Sequence, residues 1–542
     1  MLADEVVDCH VLVIGSGGAG VRAAIEASQY GDTVLISKTI VGKGGCTPMA
    51  EGGYNAVLRE QDSCGIHFED TMKGGAYLND PALVDILVRE SPLRMGDLVK
   101  WGAVFDFTDS DEVAQRPFGG QRFPRTCYAG DRTGHEMMTT LVERLDATKV
   151  TALQEFTVVD LLKDGDAVIG AMALDERGSL VLLKADSTVL ATGGGTRVYD
   201  ISTNSSSGTG DGFAMGYRAG AELIDMEMVQ FHPTGAVFPY DARGRLVTEA
   251  VRGEGGTLNN ANGERFMKNY DPARMELSTR DVVARAIATE ILQGRGTEHG
   301  GVYLDVTHLS REQIETRLPV MLEQFLKFGV DIRTTPMEVA PTAHHIMGGL
   351  RITPECKTTV PGLFACGEVA GGVHGANRLG GNALADTQVF GKRAGESAGR
   401  AGKRQKNVDT RQVETQQVRL AGFLTGNTNP AIVRRELQLA MWNGAGIFRN
   451  AQELEKTLSA ARQLSTARLR AASSRSLPEC CIVQNMCLTA SLICRGALLR
   501  TESRGAHLRT DITQSHDAEH SPFGHTCLSQ AGEGIETRGV KP

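Results

Sequence analysis

Hydrophobic and polar positions alternate along the first 230 residues as the successive strands and helices of an α/β domain require. The run Cys9–Ile14 is short and apolar, which predicts a buried strand. Val21–Tyr30 predicts a helix, and the apolar run Thr33–Ile36 predicts a second strand. The chain is therefore expected to begin with a β-α-β unit.

The loop between the first strand and the helix consists of Gly15, Ser16, Gly17, Gly18, Ala19 and Gly20. Glycines allow a tight turn, close backbone approach to a pyrophosphate and close packing of helix on strand, while the helix N-terminus faces the phosphates. The flanking strands and helix turn a weak motif into a firm prediction of a dinucleotide site. One feature departs from the usual pattern, since Ser37 and Lys38 stand where an acidic ribose ligand is expected.

The pattern further along predicts a second approach of the backbone to the same ligand. Val168–Leu174 and Leu180–Lys184 predict a hairpin, and Ser187–Ala191 predicts a buried strand that ends in the glycine-rich stretch 192–195. A strand followed by glycines suits close contact with a cofactor. Leu363–Glu368 predicts another strand that ends at a glycine and an acid.

Changes in composition divide the chain into regions. Residues 233–340 are more charged, with an amphipathic stretch at Asp281–Leu292, and the pattern turns helical after Gly402, with a helix start at Asn429 and Pro430. The predicted regions are an α/β dinucleotide domain at 1–232 and 345–395, an inserted substrate-covering domain at 233–344, a helical region at 396–510 and an extended tail at 511–542. In the tail we expect His516, His520 and His525 to be solvated.

Composition and charge exclude several classes of function. With 542 residues and a formal net charge of -8, the chain is long enough for several domains and does not suit nucleic-acid binding. We find no apolar run that approaches transmembrane length and no signal-peptide pattern, and so expect a cytoplasmic protein that meets a membrane only through a partner. None of the 11 cysteines forms a CxxC pair, which argues against a zinc or iron–sulfur site within the chain.

Four separate stretches, at 231–234, 278–281, 341–344 and 374–378, place an imidazole or a guanidinium beside glycine, proline or a hydroxyl residue. They supply His232, Arg280, His344 and Arg378. Arginine grips a carboxylate through two hydrogen bonds and histidine donates one directional bond. Two of each suit a substrate with two carboxylates. Taken alone, each has a structural explanation, such as an ion pair between Arg280 and the adjacent Asp281.

Eight short strings follow one another in order along nearly the whole chain. They are AEGG at 50–53, FGG at 118–120, DRTGH at 131–135, QFHPT at 230–234, TE at 248–249, RGEGG at 252–256, HGANRLGGN at 374–382 and ESRGAH at 502–507. Together they resemble the flavoprotein subunit of succinate dehydrogenase and fumarate reductase. The resemblance spans Gly15 to about His507, and the last string is expected to be structural.

The resemblance implies an FAD cofactor in a Rossmann-like α/β domain, an inserted α+β capping domain that closes over the substrate, and a C-terminal helical region. The cofactor-binding residues it implies are Gly15, Gly17, Gly18, Ala19, Gly20, Ser37, Lys38, Gly45, Cys46, Thr47, Gly52, Gly53, Thr192, Gly193, Gly194, Asp211, Glu368, Asn382 and Leu384.

The resemblance also implies roles at a substrate site for fumarate and succinate. His232 and Thr248 would hold one carboxylate, His344 and Arg378 the other, and Phe118 would form part of the wall. Of the adjacent pair His344 and His345, the family pattern selects His344, and at most one is expected to face the site. A separate set would move the proton: Arg280 would be the acid or base, and Glu249 and Arg252 would relay its proton. Arg280 is expected on the cap, so that the site is complete only when the cap closes.

The chain departs from the family where many members bond a histidine covalently to the flavin. Here the aligned string is Gly45, Cys46 and Thr47, so we expect non-covalent FAD, with a thioether from Cys46 to the flavin as the alternative. Loss of the covalent bond favours fumarate reduction. Details around Cys46 and in the tail resemble archaeal, thiol-driven fumarate reductases, which implies an iron–sulfur partner subunit that feeds electrons to the flavin.

Two other functions remain open. An L-aspartate oxidase shares the FAD fold and much of the site, although the string at 380–386 and the long C-terminal region favour a fumarate reductase or succinate dehydrogenase. A non-catalytic FAD-binding assembly subunit is a third hypothesis, and the presence of all four candidate donors argues against it.

Overall fold

The N-terminal β-α-β unit forms as the pattern predicts. The computed structural model describes residues 5–513 and 518–537. Strand β1 (Glu5–Ile14) leads into helix α1 (Gly18–Ala27), and strand β2 (Thr33–Ser37) then pairs with β1 in parallel. The helix begins inside the glycine loop, three residues before the predicted start, so the loop itself is short.

The α-helices in the described part of the chain are α1 Gly18–Ala27, α2 Cys64–Gly74, α3 Pro81–Lys100, α4 Thr133–Asp146, α5 Asp211–Ala219, α6 Glu249–Gly253, α7 Arg280–Glu290, α8 Arg311–Arg317, α9 Pro319–Lys327, α10 Asn382–Gly399, α11 Thr410–Leu424, α12 Pro430–Gly444, α13 Ala451–Ser465 and α14 Leu477–Leu499. The strands are β1 Glu5–Ile14, β2 Thr33–Ser37, β3 Tyr54–Asn55, β4 Gln115–Arg116, β5 Thr126–Cys127, β6 Thr151–Gln154, β7 Thr157–Asp164, β8 Ala167–Leu174, β9 Leu180–Leu190, β10 Leu223–Ile224, β11 Val229–Phe238, β12 Thr257–Asn259, β13 Val302–Asp305, β14 Met337–Ile346, β15 Gly349–Arg351, β16 Leu363–Ala365, β17 Ala370–Gly371, β18 Phe448–Arg449, β19 Leu508–Arg509, β20 Phe523–Leu528 and β21 Glu533–Thr537.

The largest sheet brings the predicted ligand-binding strand ends to one edge. Its order is β6-β2-β1-β9-β8-β7, with β16 also paired to β9. In β1, Ile14 lies opposite Ile36 on one side and Leu190 on the other, both in parallel register. The strands therefore end together, as expected for a crevice at the carboxyl edge of a parallel sheet.

The predicted hairpin is confirmed, since β8 and β9 pair antiparallel. The two strands predicted at Leu180–Lys184 and Ser187–Ala191 are one continuous strand, β9. The reason is that β1 pairs with β9 along almost its whole length, from Val181 to Leu190.

The inserted region has a hydrophobic core of its own. The apolar side chains of this core come from residues 236–339 and form a cluster separate from the main core. Its antiparallel sheet has the order β11-β14-β13-β12, and helix α7 packs against β11 and β14. The amphipathic stretch Asp281–Leu292 forms α7, which continues into a short π-helical turn at Ile291–Arg295. This region is called the cap below, and the rest of the chain is called the body.

Two paired strands connect the cap to the body. Strand β11 enters the cap and β14 returns from it, with Val229 opposite Ile346 at one end and Phe238 opposite Glu338 at the other. The predicted boundaries at 232/233 and 344/345 fall inside these strands. His232 and His344 therefore lie on the connection between cap and body.

The C-terminal helices pack onto the body and share its core. Apolar side chains of α11 to α14 belong to the same cluster as those of the main sheet. Helix α12 begins at Pro430, and the side chain of Asn429 accepts a hydrogen bond from the Ala431 N–H group, as the N-cap pattern predicts.

Helix α14 corrects one expectation from the sequence. The segment Ser474–Leu499 is long and apolar enough to cross a membrane, so the expectation that no apolar run approaches that length is wrong. However, 61% of its apolar window is buried inside the protein. The core helix of a soluble protein passes the same test, which makes a single such helix weak evidence for a membrane span.

The C-terminal segment is not a purely extended tail. Strands β20 and β21 join β10 and β15 in a sheet of order β17-β15-β10-β20-β21. His525 is not solvated as expected, because its ring bonds Asp225 at 2.5 Å and is mostly covered. His520 is exposed, and His516 lies outside the described residues.

Candidate active site

The glycine loop opens a cavity at the carboxyl edge of the main sheet. A side chain at Gly15, where φ is +110°, would place its Cβ 2.3 Å from the Ala191 carbonyl oxygen, and one at Gly20 would lie 1.8 Å from the Gly15 oxygen. Neither position can hold another residue without moving the backbone. Glycine is thus required by the close packing of loop, helix and strand, as a dinucleotide fold needs.

The cavity suits an anionic dinucleotide at the start of α1. The N-cap residue Gly17 has no side chain to cap the helix, and no acidic residue stands in the first turn. The Gly18 N–H group donates to the Thr47 hydroxyl at 3.0 Å. Gly17, Gly18 and Ala19 all line the cavity. The positive end of the helix dipole therefore points into the cavity, where it would favour a pyrophosphate.

Most of the predicted cofactor residues border this one cavity. Those that line it are Gly15, Gly17, Gly18, Ala19, Ser37, Lys38, Gly45, Cys46, Thr47, Gly52, Gly53, Thr192, Gly193, Gly194, Asp211, Glu368 and Leu384. Gly20 and Asn382 lie outside the lining. Gly20 packs against the loop, and the Asn382 side chain turns away to bond Asn55 and Thr71.

Lys38, at the position where an acid is usual, is held by a buried carboxylate. Its ammonium group bonds Asp211 at 2.6 Å and the Thr209 hydroxyl at 2.7 Å. Burial raises the pKa of Asp211, but Lys38 and neighbouring hydrogen bonds lower it by a larger amount. The net shift is downward, so the carboxyl is ionised. At the position where an acidic ribose ligand is usual, the cavity thus presents a lysine–aspartate pair.

The predicted substrate residues, together with Glu249 and Arg280, face the same cavity from the cap, its connecting strands and the body. The cavity is lined by His232, Thr248, Glu249, Arg280, His344, Arg378 and Phe118. Pairing of β11 with β14 brings the His232 and His344 rings to 5.0 Å between centroids. Thr248 caps α6, Arg280 begins α7, and Arg378 precedes α10. The body and the cap therefore each contribute to one site.

Glu249 sits between the two parts of the molecule. One oxygen accepts a hydrogen bond from Arg280 Nε at 2.9 Å, and the other accepts from the Gly119 N–H group at 2.9 Å. Burial raises its pKa, but Arg280 and Arg252 lower it to a greater extent, so the net shift is downward. Glu249 is thus an anion next to the guanidinium of Arg280.

Arg252 lies behind this pair and outside the cavity lining. Its Nη1 donates to the Glu276 carbonyl oxygen at 2.5 Å, and its Nη2 lies 3.9 Å from Glu249. Nε and Nη2 are buried without a hydrogen-bond partner. Burial lowers the pKa of Arg252, which makes this arginine a better proton donor than one in water.

Arg378 adds a second buried cation to the site. Its pKa is lowered to about 9, first by burial and then by the charge of Arg280. The Nε atom has no hydrogen-bond partner. The three arginines face one ionised glutamate, Glu249, while burial raises the pKa of the nearby Glu368 and Asp386 to about 7. Positive charge is therefore in excess, and an anion with two carboxylates would neutralise it.

Both histidines of the connection are neutral. Burial and the nearby arginines hold the pKa of His232 and of His344 well below the ordinary value. Nδ1 of His232 accepts a hydrogen bond from the Thr234 N–H group at 3.2 Å, so the proton of the neutral ring is on Nε2. His232 can therefore donate a hydrogen bond to a carboxylate without adding charge.

His345 also lines the cavity, which corrects the expectation that only one of the adjacent histidines would face it. His344 lies on the side of His232 and Thr203, with its Nδ1 2.7 Å from the Thr203 hydroxyl. His345 lies on the side of Glu368, 3.6 Å from that carboxyl. The cavity borders both faces of the strand end, so alternation of side chains does not exclude either.

Gln230 does not line the cavity but holds two arginines that do, and the sequence does not single it out. Its Oε1 atom accepts hydrogen bonds from Arg280 Nη1 at 3.3 Å and from Arg378 Nη2 at 3.2 Å. Its Nε2 atom donates to Asn377 and to the Arg378 carbonyl oxygen. The available signal was strand alternation, because Gln230 and His232 are two residues apart and share one face of β11.

Cys46 borders the cavity as a thiol. Its pKa is raised to about 12 by burial and by the charge of Glu368. Thiolate is the reactive form of cysteine, so this environment disfavours a bond to the flavin. Over residues 5–513 and 518–537, no group of three or more histidine, cysteine or acidic side chains could hold a metal ion.

Comparison with known proteins agrees with this geometry. The family model described as FAD binding domain matches residues 10–384, and that described as fumarate reductase flavoprotein C-term matches residues 434–541. A fumarate reductase (CoM/CoB) subunit of Methanothermobacter marburgensis is 52% identical over 530 residues, which cover 95% of this chain and 96% of that protein.

Two solved structures show the same fold. A chain of Escherichia coli quinol fumarate reductase superposes with a TM-score of 0.92 at 36% identity, covering 99% of this chain and 97% of that chain. A flavocytochrome c3 fumarate reductase, solved in an open conformation, superposes with a TM-score of 0.57 at 29% identity and covers 73% of this chain and 78% of its own. The chain belongs to the family of FAD-dependent oxidoreductases formed by the flavoprotein subunits of fumarate reductase and succinate dehydrogenase.

Proposed function

We propose that this protein interconverts fumarate and succinate. The observation that supports this most directly is the position of Arg280, which faces the dinucleotide cavity beside Glu249 and next to Arg378. Bound FAD would supply or accept a hydride, and the residues of the chain would bind the dicarboxylate and move the proton.

The proposed substrate contacts are those that the family resemblance implies, and the shared cavity and the charge of the donors support them. His232 and Thr248 hold one carboxylate, while His344 and Arg378 hold the other. Neutral imidazoles orient the substrate, and the guanidinium pulls negative charge toward one end of it. Fixed donors acting on one carboxylate polarise the double bond, and Phe118 helps to exclude water from the site.

Proton transfer is assigned to Arg280, Glu249 and Arg252. Arg280 donates to Glu249, and it shares the Gln230 Oε1 acceptor with Arg378. Glu249 contacts Arg280 at 2.9 Å, so a proton that reaches this carboxylate from the side of Arg252 can pass on to Arg280. Arg252, 3.9 Å from Glu249, extends the relay away from the cavity.

The cap is proposed to open and close around the substrate. It has a core of its own and is joined to the body by β11 and β14. The open flavocytochrome c3 fumarate reductase, a relative with this fold, supports such a movement. Closure brings Arg280 from the cap to Arg378 on the body, so the site is complete only in the closed form.

The finer assignment is a fumarate-reducing protein with non-covalent FAD and an iron–sulfur partner. Cys46 replaces the histidine that bonds flavin in many relatives, and the raised pKa keeps it a thiol. Similarity to the fumarate reductase (CoM/CoB) subunit of Methanothermobacter marburgensis supports the reducing direction and a complex of several chains. Denaturing the holoenzyme should release all of its flavin, whereas flavin that stays on the chain would refute non-covalent binding.

The test of function is fumarate reduction by the holoenzyme with a reduced viologen dye. Arg280→Ala should lower kcat by about 10²- to 10⁴-fold, the range for loss of a general acid, while flavin content stays the same. Arg311→Ala is the matched control, because Arg311 is an exposed cap arginine paired with Glu315. Oxidation of L-aspartate without fumarate reduction would instead favour an L-aspartate oxidase, and unchanged turnover of Arg280→Ala would refute the role of Arg280.

A further inference from the structure

Helix α7 makes polar contacts to the body in its first two turns, directly after the active-site arginine. Asp281 and Arg285 pair along the helix at 2.7 Å. Asp281 also accepts a hydrogen bond from Asn377 at 2.9 Å, and Arg285 donates to the Gly505 carbonyl oxygen at 2.8 Å. Asn377 and Gly505 belong to the body, so both contacts cross from the cap.

The two contacts converge on the loop that carries Arg378. Asn377 is the neighbour of Arg378 in the chain. Gly505 reaches the same loop from the C-terminal segment, because the Ala506 N–H group donates to the Ala376 carbonyl oxygen at 2.9 Å. Gly505 has a φ of +53°, and a Cβ there would lie 2.6 Å from that oxygen, so its place is closely defined.

The same network reaches the active site through Gln230. Nε2 of Gln230 donates to Asn377 at 2.7 Å, and Oε1 accepts from both Arg280 and Arg378. A continuous set of hydrogen bonds thus joins Arg280, at the start of α7, to Asp281, the next residue along it. The first and last residues of this set, Arg280 and Asp281, are on helix α7, and the residues that connect them are Gln230 and Asn377.

We propose that Asp281 and Arg285 form a latch that fixes the closed position of the cap, and that they are positioning residues for Arg280. This inference rests on the proposed function and deepens it. The side chains of Asp281 and Arg285 are 12% and 29% exposed, so the contacts are shielded enough to matter and still open to water when the cap lifts. The C-terminal segment, through Gly505, then takes part in closure although it is remote from the chemistry.

The latch predicts a graded series of variants. Arg285→Leu removes the contacts to both Asp281 and Gly505 and should weaken closure most. Arg285→Lys retains a cation that can reach one of the two partners, so it should restore part of the loss. Asp281→Asn keeps an acceptor for Asn377 but loses the charge pair, which should give an intermediate effect.

Binding of malonate to the oxidised holoenzyme tests the latch apart from turnover. Malonate is a non-reacting dicarboxylate, and its binding is followed by the change in flavin absorbance. Arg285→Leu should raise the Kd by about tenfold or more, as expected for loss of hydrogen bonds to a charged group. Hydrogen exchange of α7 in the complex should also become faster. Arg311→Leu, which breaks a pair confined to the cap, should change neither.

Steady-state kinetics provide the second measurement. Because the latch acts on closure, Arg285→Leu should raise KM for fumarate, and Arg285→Lys should bring it back toward the native value. Equal Kd, KM and exchange in Arg285→Leu and the native protein would overturn the latch. Failure of the native holoenzyme to bind malonate would instead count against the proposed function itself.

Discussion

Two buried arginines with opposite surroundings distinguish the active site from the C-terminal core. Arg500 is fully buried and donates to Glu227, Glu502 and Asp225 and to the Gly524 carbonyl oxygen. Burial lowers the pKa of Arg500, but the nearby carboxylates raise it by a larger amount, and the net shift is upward. Arg378 is almost as buried, yet its Nε has no partner and its pKa falls to about 9.

The comparison shows which of the two buried arginines lacks a counter-charge within the protein. A buried charge that is fully paired ties its neighbours together, whereas an unpaired one destabilises the protein until a ligand supplies the counter-charge. Arg500 joins the C-terminal segment to the body, while Arg378 stands with Arg280 in a site short of negative charge. The first arrangement serves stability and the second serves binding of a dianion.

The largest effect on stability is expected from Arg500→Met. Loss of the guanidinium leaves three buried carboxylates without their shared partner, which should lower the free energy of unfolding by about 3–5 kcal/mol. Urea unfolding monitored by circular dichroism measures the change. The folded fraction should retain native kcat, since Arg500 does not line the active-site cavity. Native stability in this variant would show that the cluster contributes little.

Arg378→Met should have the reverse phenotype. Removing an unpaired buried cation should leave stability unchanged or raise it by up to about 2 kcal/mol. Loss of the carboxylate contact should lower kcat/KM for fumarate by about 10²-fold or more, since breaking a buried charge pair costs about 3 kcal/mol or more. Malonate should raise the Tm of the native protein and not that of the variant. A clear drop in the Tm of ligand-free Arg378→Met would contradict the comparison.

Parts of this architecture could be predicted from the sequence because they are local. The strand, glycine loop and helix at 9–30 are contiguous, and Gly15 and Gly20 have a steric reason to be there. The four histidines and arginines were found as residue types suited to two carboxylates, and the family resemblance supplied their roles. Their placement on one cavity depends on the pairing of β11 with β14 and on the packing of the cap.

Other parts could not be predicted because their partners are distant in the chain. Strand alternation places Gln230 on the same face as His232, but it does not show that Gln230 bridges Arg280 and Arg378, which are 50 and 148 residues away. The polar segment after Asp511 suggested a tail, yet β20 pairs with β10 some 300 residues earlier. In both cases a polar side chain or a polar segment is ordered by tertiary contacts that local pattern does not reveal.

The smallest predicted effect is a pH dependence of stability, which should be found in the cluster around Arg500 and not in the active site. Despite burial, Asp225 raises the pKa of His525, and His525 together with Arg500 lowers the pKa of Asp225. The raised imidazole pKa contributes stability that is complete below about pH 6.5, the ordinary value of histidine, and is lost as pH rises through the pKa of the folded state. The lowered carboxyl pKa contributes stability above about pH 3.9, which is lost only on further acidification.

His525→Gln should therefore reduce the free energy of unfolding by about 1 kcal/mol near pH 6, as expected for a partly buried ion pair. The difference from the native protein should shrink as pH rises toward 9, whereas fumarate reduction should be unaffected by the substitution at any pH. Urea unfolding at several pH values measures this dependence. His135→Gln, which alters an exposed histidine on α4, is the matched control and should show no such trend. A pH-independent difference for His525→Gln would mean that His525 acts through packing and that the cluster around Arg500 gains nothing from its charge.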